Sequence, residues 1–352
     1  MVDSWRRGIA IAGLACAAPL AAAALDAGDG VALATQGRFD EARAIWEEVG
    51  DGPSLRNLAG LHVAGVLGQA DLVAAKALFR EAAARGDAPA MLGLGHMALG
   101  DGVDTLEAET WFRRAADLGL VDAKVMLGRT ILGRPTTPDE VQDALALLNE
   151  AGDAHHPQAL MMIGDLLRGG TYTARDLPKA VSFYELAAAA GAPEASDTLG
   201  DIHAFGELGA PDLEAAVDHY ARAASGGVKS AMLSLAYMFY RDPGSDADRL
   251  SAAFRYAHAA ALVWEERAQL LLGHMYLAGR AVPRDPAQAH FWFDLAASAG
   301  VVEAHHMRGL THMAIGADEA ARMREAARRW FDENHATPHT HRLLGTASHN
   351  FR

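Results

Sequence analysis

Histidine is the residue type whose spacing in this chain suggests metal chemistry. The 352 residues include sixteen histidines, and His335, His339 and His341 form an H-x3-H-x-H motif near the carboxyl end. Imidazoles at this spacing suit zinc or copper, but no thiol or carboxylate stands among them to order a site. We therefore predict no structural metal site. The polar, His-rich tail over 335–352 has two open interpretations, a loosely held metal ion or a solvated segment.

Motifs for catalysis and nucleotide binding are incomplete or absent. Gly93-Leu94-Gly95 begins like a dinucleotide fingerprint, but the next glycine is Gly100 and no strand precedes it. The sequence contains no G-x-S-x-G, S-x-x-K or H-E-x-x-H motif. We predict no catalytic residue and no cofactor. A formal net charge of −14 also disfavours nucleic acid as a partner, because an acidic chain repels phosphate backbones.

Residues 1–24 have the pattern of a signal peptide. Arg6 and Arg7 form a short positive region, an apolar run extends from Gly8 to Leu20, and Ala22-Ala23-Ala24 offers a cleavage site after Ala24. The single cysteine of the chain lies inside this segment, so the mature protein would have no disulfide. We expect a periplasmic or secreted protein with no stable membrane insertion after cleavage. An uncleaved membrane anchor is the alternative.

One short phrase returns eight times along the chain. Its Leu-Gly pair places glycine, or a substitute, 33 to 37 residues apart at Ala59, Gly95, Gly128, Gly164, Gly200, Ala236, Gly273 and Gly309. A fixed period in the thirties is typical of stacked helical repeats. A 51% apolar content with only 7% aromatic residues fits closely approaching helices.

Each repeat has the pattern of two helices joined by a turn. Apolar residues recur at helical spacing in both halves, and the turns are rich in Gly, Pro and Asp, as in 279–285. We expect Asp212 and Asp285 to cap second helices. We also expect that the repeated glycines, which have no side chain, allow the partner helix to pack directly against the backbone of the first helix. Large residues at one position of the second helices would then form the inter-helix core: Trp111-Phe112, Phe183-Tyr184, His219-Tyr220 and Trp292-Phe293.

The clearest copy, Ala268–Gly300, resembles the Sel-one-like repeat (SLR), a longer relative of the tetratricopeptide repeat. The resemblance covers about 54–315. Residues 25–53 are more similar to a tetratricopeptide-like cap, and 316–334 fit a C-terminal capping helix. The resemblance implies an all-α, right-handed superhelical solenoid of about eight antiparallel helix pairs. Its first helices would line a concave groove, as in secreted bacterial members of the family.

The resemblance also implies a non-enzymatic scaffold or adaptor that binds a protein or peptide in that groove. Variable residues beside the repeated glycine, and one turn further on, are the candidate partner-binding residues: His96, Arg129, Asp165, Arg168, Asp201, Tyr237, Tyr240 and His274. If Asp201 only faces the groove, its substitution should leave stability nearly unchanged. The alternative function is a cell-wall- or polysaccharide-related factor or hydrolase.

Overall fold

The computed structural model describes residues 25–100 and 105–335, which form eighteen α-helices and no strand. Their arrangement confirms the predicted all-α fold of repeated helix pairs. The chain divides into two compact units, 1–159 and 160–352, with the ninth helix at the division. The predicted signal peptide (1–24) and the tail after 335 lie outside the described residues.

The first unit contains four helix pairs, α1 to α8. The helices are α1 Ala27–Thr35, α2 Phe39–Val49, α3 Gly52–Ala64, α4 Leu72–Ala84, α5 Ala88–Gly100, α6 Thr105–Asp117, α7 Val121–Leu132 and α8 Pro138–Asp153. Odd-numbered helices are the first helices of the repeats, and each one in this unit packs against the second helix that follows it. The core is made of alanine and a few large side chains, such as Trp46, Phe79 and Phe112.

The second unit continues the same alternation. Its helices are α9 Pro157–Gly169, α10 Leu177–Ala189, α11 Pro193–Ala204, α12 Leu213–Ser225, α13 Lys229–Arg241, α14 Ala247–Leu262, α15 Glu266–Ala278, α16 Pro286–Ser298, α17 Val302–Ile315 and α18 Ala317–His335. None of the helices described in either unit is long and apolar enough to cross a membrane.

The turns end one helix and begin the next as the sequence predicts. Asp176, Asp212 and Asp285 each accept a backbone N–H bond from the first turn of a second helix. Trp264 and His155 stand where most repeats have glycine, and both take the left-handed conformation, with φ of 64° and 57°. These two turns therefore keep the left-handed backbone conformation that glycine has in the other repeats, although a side chain makes that conformation less favourable.

The repeated glycines allow the first helix to lie very close to a large side chain of the second helix, and we call each such contact a joint. A Cβ atom placed on Gly95, Gly164, Gly200 or Gly273 would lie 2.3 to 2.7 Å from the ring of Phe112, Tyr184, Tyr220 or Phe293, respectively. No real side chain tolerates that distance, so the prediction that these glycines admit a partner helix is confirmed. Gly128 has the same role against Leu148, at 3.0 Å.

Gly309 does not follow this pattern. A Cβ atom placed there would meet nothing within 4 Å, so the expected helix-to-helix contact is wrong at this position. The reason lies in α18, which packs mainly against α16 instead of pairing with α17. The ring of Trp330 on α18 lies 5.7 Å from that of Trp292 on α16 and 5.5 Å from that of Trp264.

Candidate interaction surface of the first helices

The eight predicted partner-binding residues all lie on first helices, α5, α7, α9, α11, α13 and α15. Arg129 and Asp165 are exposed, whereas the other six are half-buried: His96, Arg168, Asp201, Tyr237, Tyr240 and His274. Six of them directly follow the repeated glycine position, and Arg168 and Tyr240 lie one turn further along their helices. Within each of the two units, we call the face that these residues share the first-helix surface.

On α5, α9, α11 and α15, the residue that follows the repeated glycine contacts the aromatic ring of the second helix. This is the same ring that packs over the glycine, and we call it the covering ring. Tyr184 donates its hydroxyl to Asp165 Oδ1 at 2.8 Å, and Tyr220 donates to Asp201 Oδ1 at 2.7 Å. Asp201 thus holds a buried tyrosine as well as facing outward. The expectation that its substitution leaves stability unchanged is therefore revised, because the Tyr220 hydroxyl would lose the carboxylate to which it donates.

Where the covering ring is phenylalanine, the residue after the glycine is histidine. The ring centroid of His96 lies 5.5 Å from that of Phe112, and His274 lies 5.3 Å from Phe293, both edge to face. His274 Nε2 also lies 3.2 Å from Glu303 Oε1. Aspartate therefore accompanies tyrosine and histidine accompanies phenylalanine, a side-chain match that the sequence analysis did not detect.

In the first unit the structure brings His96 and Arg129 together. Burial lowers the pKa of His96, and the charge of Arg129 on the next first helix lowers it further. Both effects favour the neutral imidazole. The Arg129 guanidinium is then the positive charge that this part of the surface presents to a partner.

Arg168 forms an ion pair with another residue of the chain. Its guanidinium binds the Glu207 carboxylate, with Nε 3.2 Å from Oε2, and this bond raises the pKa of Arg168. Arg175 reaches the same carboxylate at 3.7 Å. Arg168 therefore joins two successive repeats, and it offers a partner less free charge than the sequence suggests.

Acidic residues gather on α11. Asp197 Oδ2 accepts a 2.6 Å bond from Ser230 Oγ on α13. Burial raises the pKa of Asp197, although the Ser230 bond opposes the increase, and the charges of Asp201 and Glu194 raise it further. Sequence analysis missed Asp197, although it lies one helical turn before Asp201 and so shares its face.

Arginine and tyrosine combine on the following repeats. The Arg241 guanidinium lies 4.9 Å from the ring centroid of Tyr237, and that of Arg280 lies 5.2 Å from the ring of Tyr240. Arg280 also donates to the backbone carbonyl of Asp242 at 2.8 Å, which fixes its position. We call Tyr237, Tyr240, Arg241 and Arg280 the Arg–Tyr patch.

The two arginines of the patch were not among the predicted residues. Arg241 could have been found, because it follows Tyr237 by four residues on one helix and so lies on the same face. Arg280 could not, since it lies in the turn after α15, and only the fold brings it to Tyr240. Such cation–π pairs hold flat rings and positive charge at the surface together.

Other kinds of site are less well supported by the described residues. No group of three metal-binding side chains occurs within 25–100 and 105–335. Two open cavities, of about 640 and 880 Å³, include none of the eight predicted residues among their lining side chains. The first-helix surface thus remains the candidate site.

Comparison with known proteins supports the repeat assignment. A family model described as the Sel1 repeat matches 53–87, 88–120, 157–191, 194–228, 229–262 and 266–301. Residues 121–156, which contain α7 and α8, are not matched. This pair has Leu148 in place of a covering ring and His155 in place of glycine. No curated protein matches the chain.

Solved structures that are similar to the chain include two bacterial repeat proteins. A Sel1 repeat protein from Oxalobacter formigenes is 26% identical, with 80% of this chain and 86% of that one covered and a TM-score of 0.63. The c5321 protective antigen of uropathogenic Escherichia coli, which displays an SLR fold, is 21% identical, with 87% and 75% covered and a TM-score of 0.51. With its repeats matched over more than half of its length, the chain belongs to the Sel1 repeat family.

Proposed function

We propose that this protein is a non-enzymatic scaffold of the periplasm that binds a protein or peptide segment through its first-helix surface. A Sel1-repeat helical array is suited to protein interaction, because successive repeats present side chains at regular intervals along one face. The periplasmic location rests on the signal-peptide pattern of residues 1–24.

The observation that carries the proposal is the Arg–Tyr patch. Tyrosine and arginine are enriched at the energetic centres of protein interfaces, where flat rings give large contact area and guanidinium groups bind carboxylates. The neighbouring α11 carries the opposite charge at Asp201 and at the exposed Glu194. A partner segment with an acidic or aromatic part over the patch, and a basic part over α11, would match both.

The experiment is site-specific crosslinking in periplasm. A photoreactive residue replaces Tyr237 on the first helix α13 or, as the control, Arg255 on the second helix α14 of the same repeat. We expect a specific adduct with a protein from position 237 and none from position 255. Adducts from both positions, or from neither, would contradict binding through the first helices.

Charge substitution tests the patch itself once the adduct is identified. Arg241→Gln and Arg255→Gln remove the same charge from the two helices of one repeat. We expect binding of the purified partner to weaken about tenfold with the first substitution and to stay unchanged with the second. Binding of purified glycan, in place of a protein, would favour the cell-wall alternative.

A further inference from the structure

The four second helices that place an aromatic ring over one of the repeated glycines share the same buried pattern. An alanine is followed after four residues by the ring and after three more by a second alanine. The sets are Ala108–Phe112–Ala115, Ala180–Tyr184–Ala187, Ala216–Tyr220–Ala223 and Ala289–Phe293–Ala296. Their rings are at most 3% exposed and their alanines are fully buried. A helix with this pattern therefore packs closely against a first helix that has a glycine at the repeated position.

Helix α17 is a first helix without such a partner. One face is filled, since Ala304 and Thr311 are buried. The opposite face is open. Val302 is 83% exposed, Leu310 42% and Met313 74%, and Gly309 has nothing near its missing Cβ. We call Val302, His306, Gly309, Leu310 and Met313 the open α17 face, because their spacing places them on one side of the helix.

Helix α18 is not available to cover this face. The connection between α17 and α18 is the single residue Gly316, whereas the described turns within repeats from α3 to α16 have five to eight residues. The side chains of α18 are used elsewhere, since Trp330 and Phe331 contact Trp264, with ring centroids 5.5 and 5.1 Å apart. The eighth repeat is thus half complete.

We propose that the open α17 face binds an amphipathic helix of another protein, which completes the eighth repeat. The helix would place an aromatic ring over Gly309 and alanines one turn to either side, as the four second helices above do. Terminal repeats normally end in a polar outer face, whereas this one ends in exposed valine, leucine and methionine. A glycine within such a face leaves a hollow that a large side chain can fill.

A second copy of the chain is a poorer occupant. Helix α4 carries the same pattern as Ala75–Phe79–Ala82, and all five helices with the pattern already bury their rings, so a folded copy has none of them to donate. The tail 336–352 contains no copy of the pattern, and its single aromatic residue is Phe351. Leu310 and Met313 occupy in α17 the repeat positions that define the first-helix surface in the other first helices, but Gly309 is not one of those positions. Substitution of Gly309 therefore tests this proposal without changing any residue of the first-helix surface.

The test uses a labelled peptide with the sequence of residues 286–300, which carries the pattern with Phe293 at its centre. Binding to the full-length protein is measured by fluorescence anisotropy. Gly309→Leu fills the hollow and should weaken binding at least tenfold. Gly60→Leu is the matched control, since Gly60 is a first-helix glycine that also has nothing within 4 Å. This control should bind like wild type. The peptide with Phe293→Ala should bind at least tenfold more weakly.

Three results would overturn the proposal. The first is equal or absent peptide binding in wild type and Gly309→Leu. The second is a dimer in sedimentation that Gly309→Leu converts to a monomer, which would assign the face to a second copy. The third is peptide binding only after deletion of 336–352, which would assign the face to the tail. Circular dichroism must show equal helicity in both glycine variants, and each is expected to fold because its new Cβ lies in open space.

Discussion

Glycine has opposite roles at equivalent positions of this chain. At Gly200 a Cβ atom would lie 2.6 Å from the Tyr220 ring, whereas at Gly309 it would meet nothing. We expect Gly200→Ala to lower the free energy of unfolding by about 1–3 kcal/mol through overpacking. Gly309→Ala should raise it by roughly 0.5–1 kcal/mol, because alanine favours helix. Urea denaturation measures both, and two changes of the same sign would contradict the packing described here.

The Asp201–Tyr220 hydrogen bond is the second feature at this scale. Tyr220 is almost fully buried, so Asp201→Ala removes the carboxylate to which its hydroxyl donates, and we expect a loss of about 1–3 kcal/mol. In the Tyr220→Phe background, where no hydroxyl remains, the same substitution should cost less. A double-mutant cycle by urea denaturation checks this, and additive effects would show that the bond contributes nothing.

Tyrosine burial predicts how stability changes at high pH. Burial and the Asp201 bond raise the pKa of Tyr220, and burial and the Asp165 bond raise that of Tyr184 in the same way. A raised pKa in the folded state means that the contribution to stability is complete below the unfolded pKa, about 10, and is lost as pH rises above it. We expect the midpoint of urea unfolding to fall above pH 10, and to fall less in the Tyr184→Phe/Tyr220→Phe variant.

The helices show how far the sequence determines this fold. The period of 33 to 37 residues, the capping aspartates and the joint glycines predict the helices and their pairing, because each depends on residues within one or two repeats. The position of α18 could not be predicted. It depends on contacts of Trp330 with Trp264 and Trp292, which are distant from it in sequence, and Trp330 itself lies outside the repeats.

Part of the candidate site could be predicted because it follows from the repeat register, and part could not because it depends on contacts outside that register. The repeat register places Tyr237 and Tyr240 on the correct helices, but Arg280 reaches Tyr240 only through a turn that differs among repeats. The register also cannot show that Asp165 and Asp201 bind tyrosines of the partner helix. That contact requires the distance across the joint, which the side chains of both helices determine together.

Two turns between repeats hold a left-handed residue that is not glycine. His155 is exposed, so His155→Gly should remove the cost of its φ and stabilise the protein by about 1 kcal/mol. Trp264→Gly gains the same backbone relief but loses ring contacts with Trp330 and Phe331, and we expect a net loss. Thermal denaturation compares the two variants. A stabilised Trp264→Gly would mean that the aromatic contacts with α18 contribute little.

At the scale of the whole molecule, stability depends on contacts between adjacent helix pairs. In such arrays each repeat contacts mainly its neighbours, so a complete repeat can be removed without changing the kind of contacts that remain. Within the second unit, α11 packs against α12, and α12 packs against α13. Removal of 193–228 would bring α13 to the position that α11 now occupies.

The final prediction compares that deletion with removal of half a repeat. Deleting 193–228 removes α11 and α12 in register, and we expect a helical protein that unfolds cooperatively at a lower urea concentration. Deleting 193–210 removes α11 alone and leaves Tyr220 of α12 without Gly200 beneath it. Two second helices would then be adjacent, with no glycine to admit their rings, and we expect loss of cooperative unfolding in that unit. Circular dichroism during urea titration distinguishes the two variants. Equal behaviour would show that the alternation of first and second helices is not what holds this unit together.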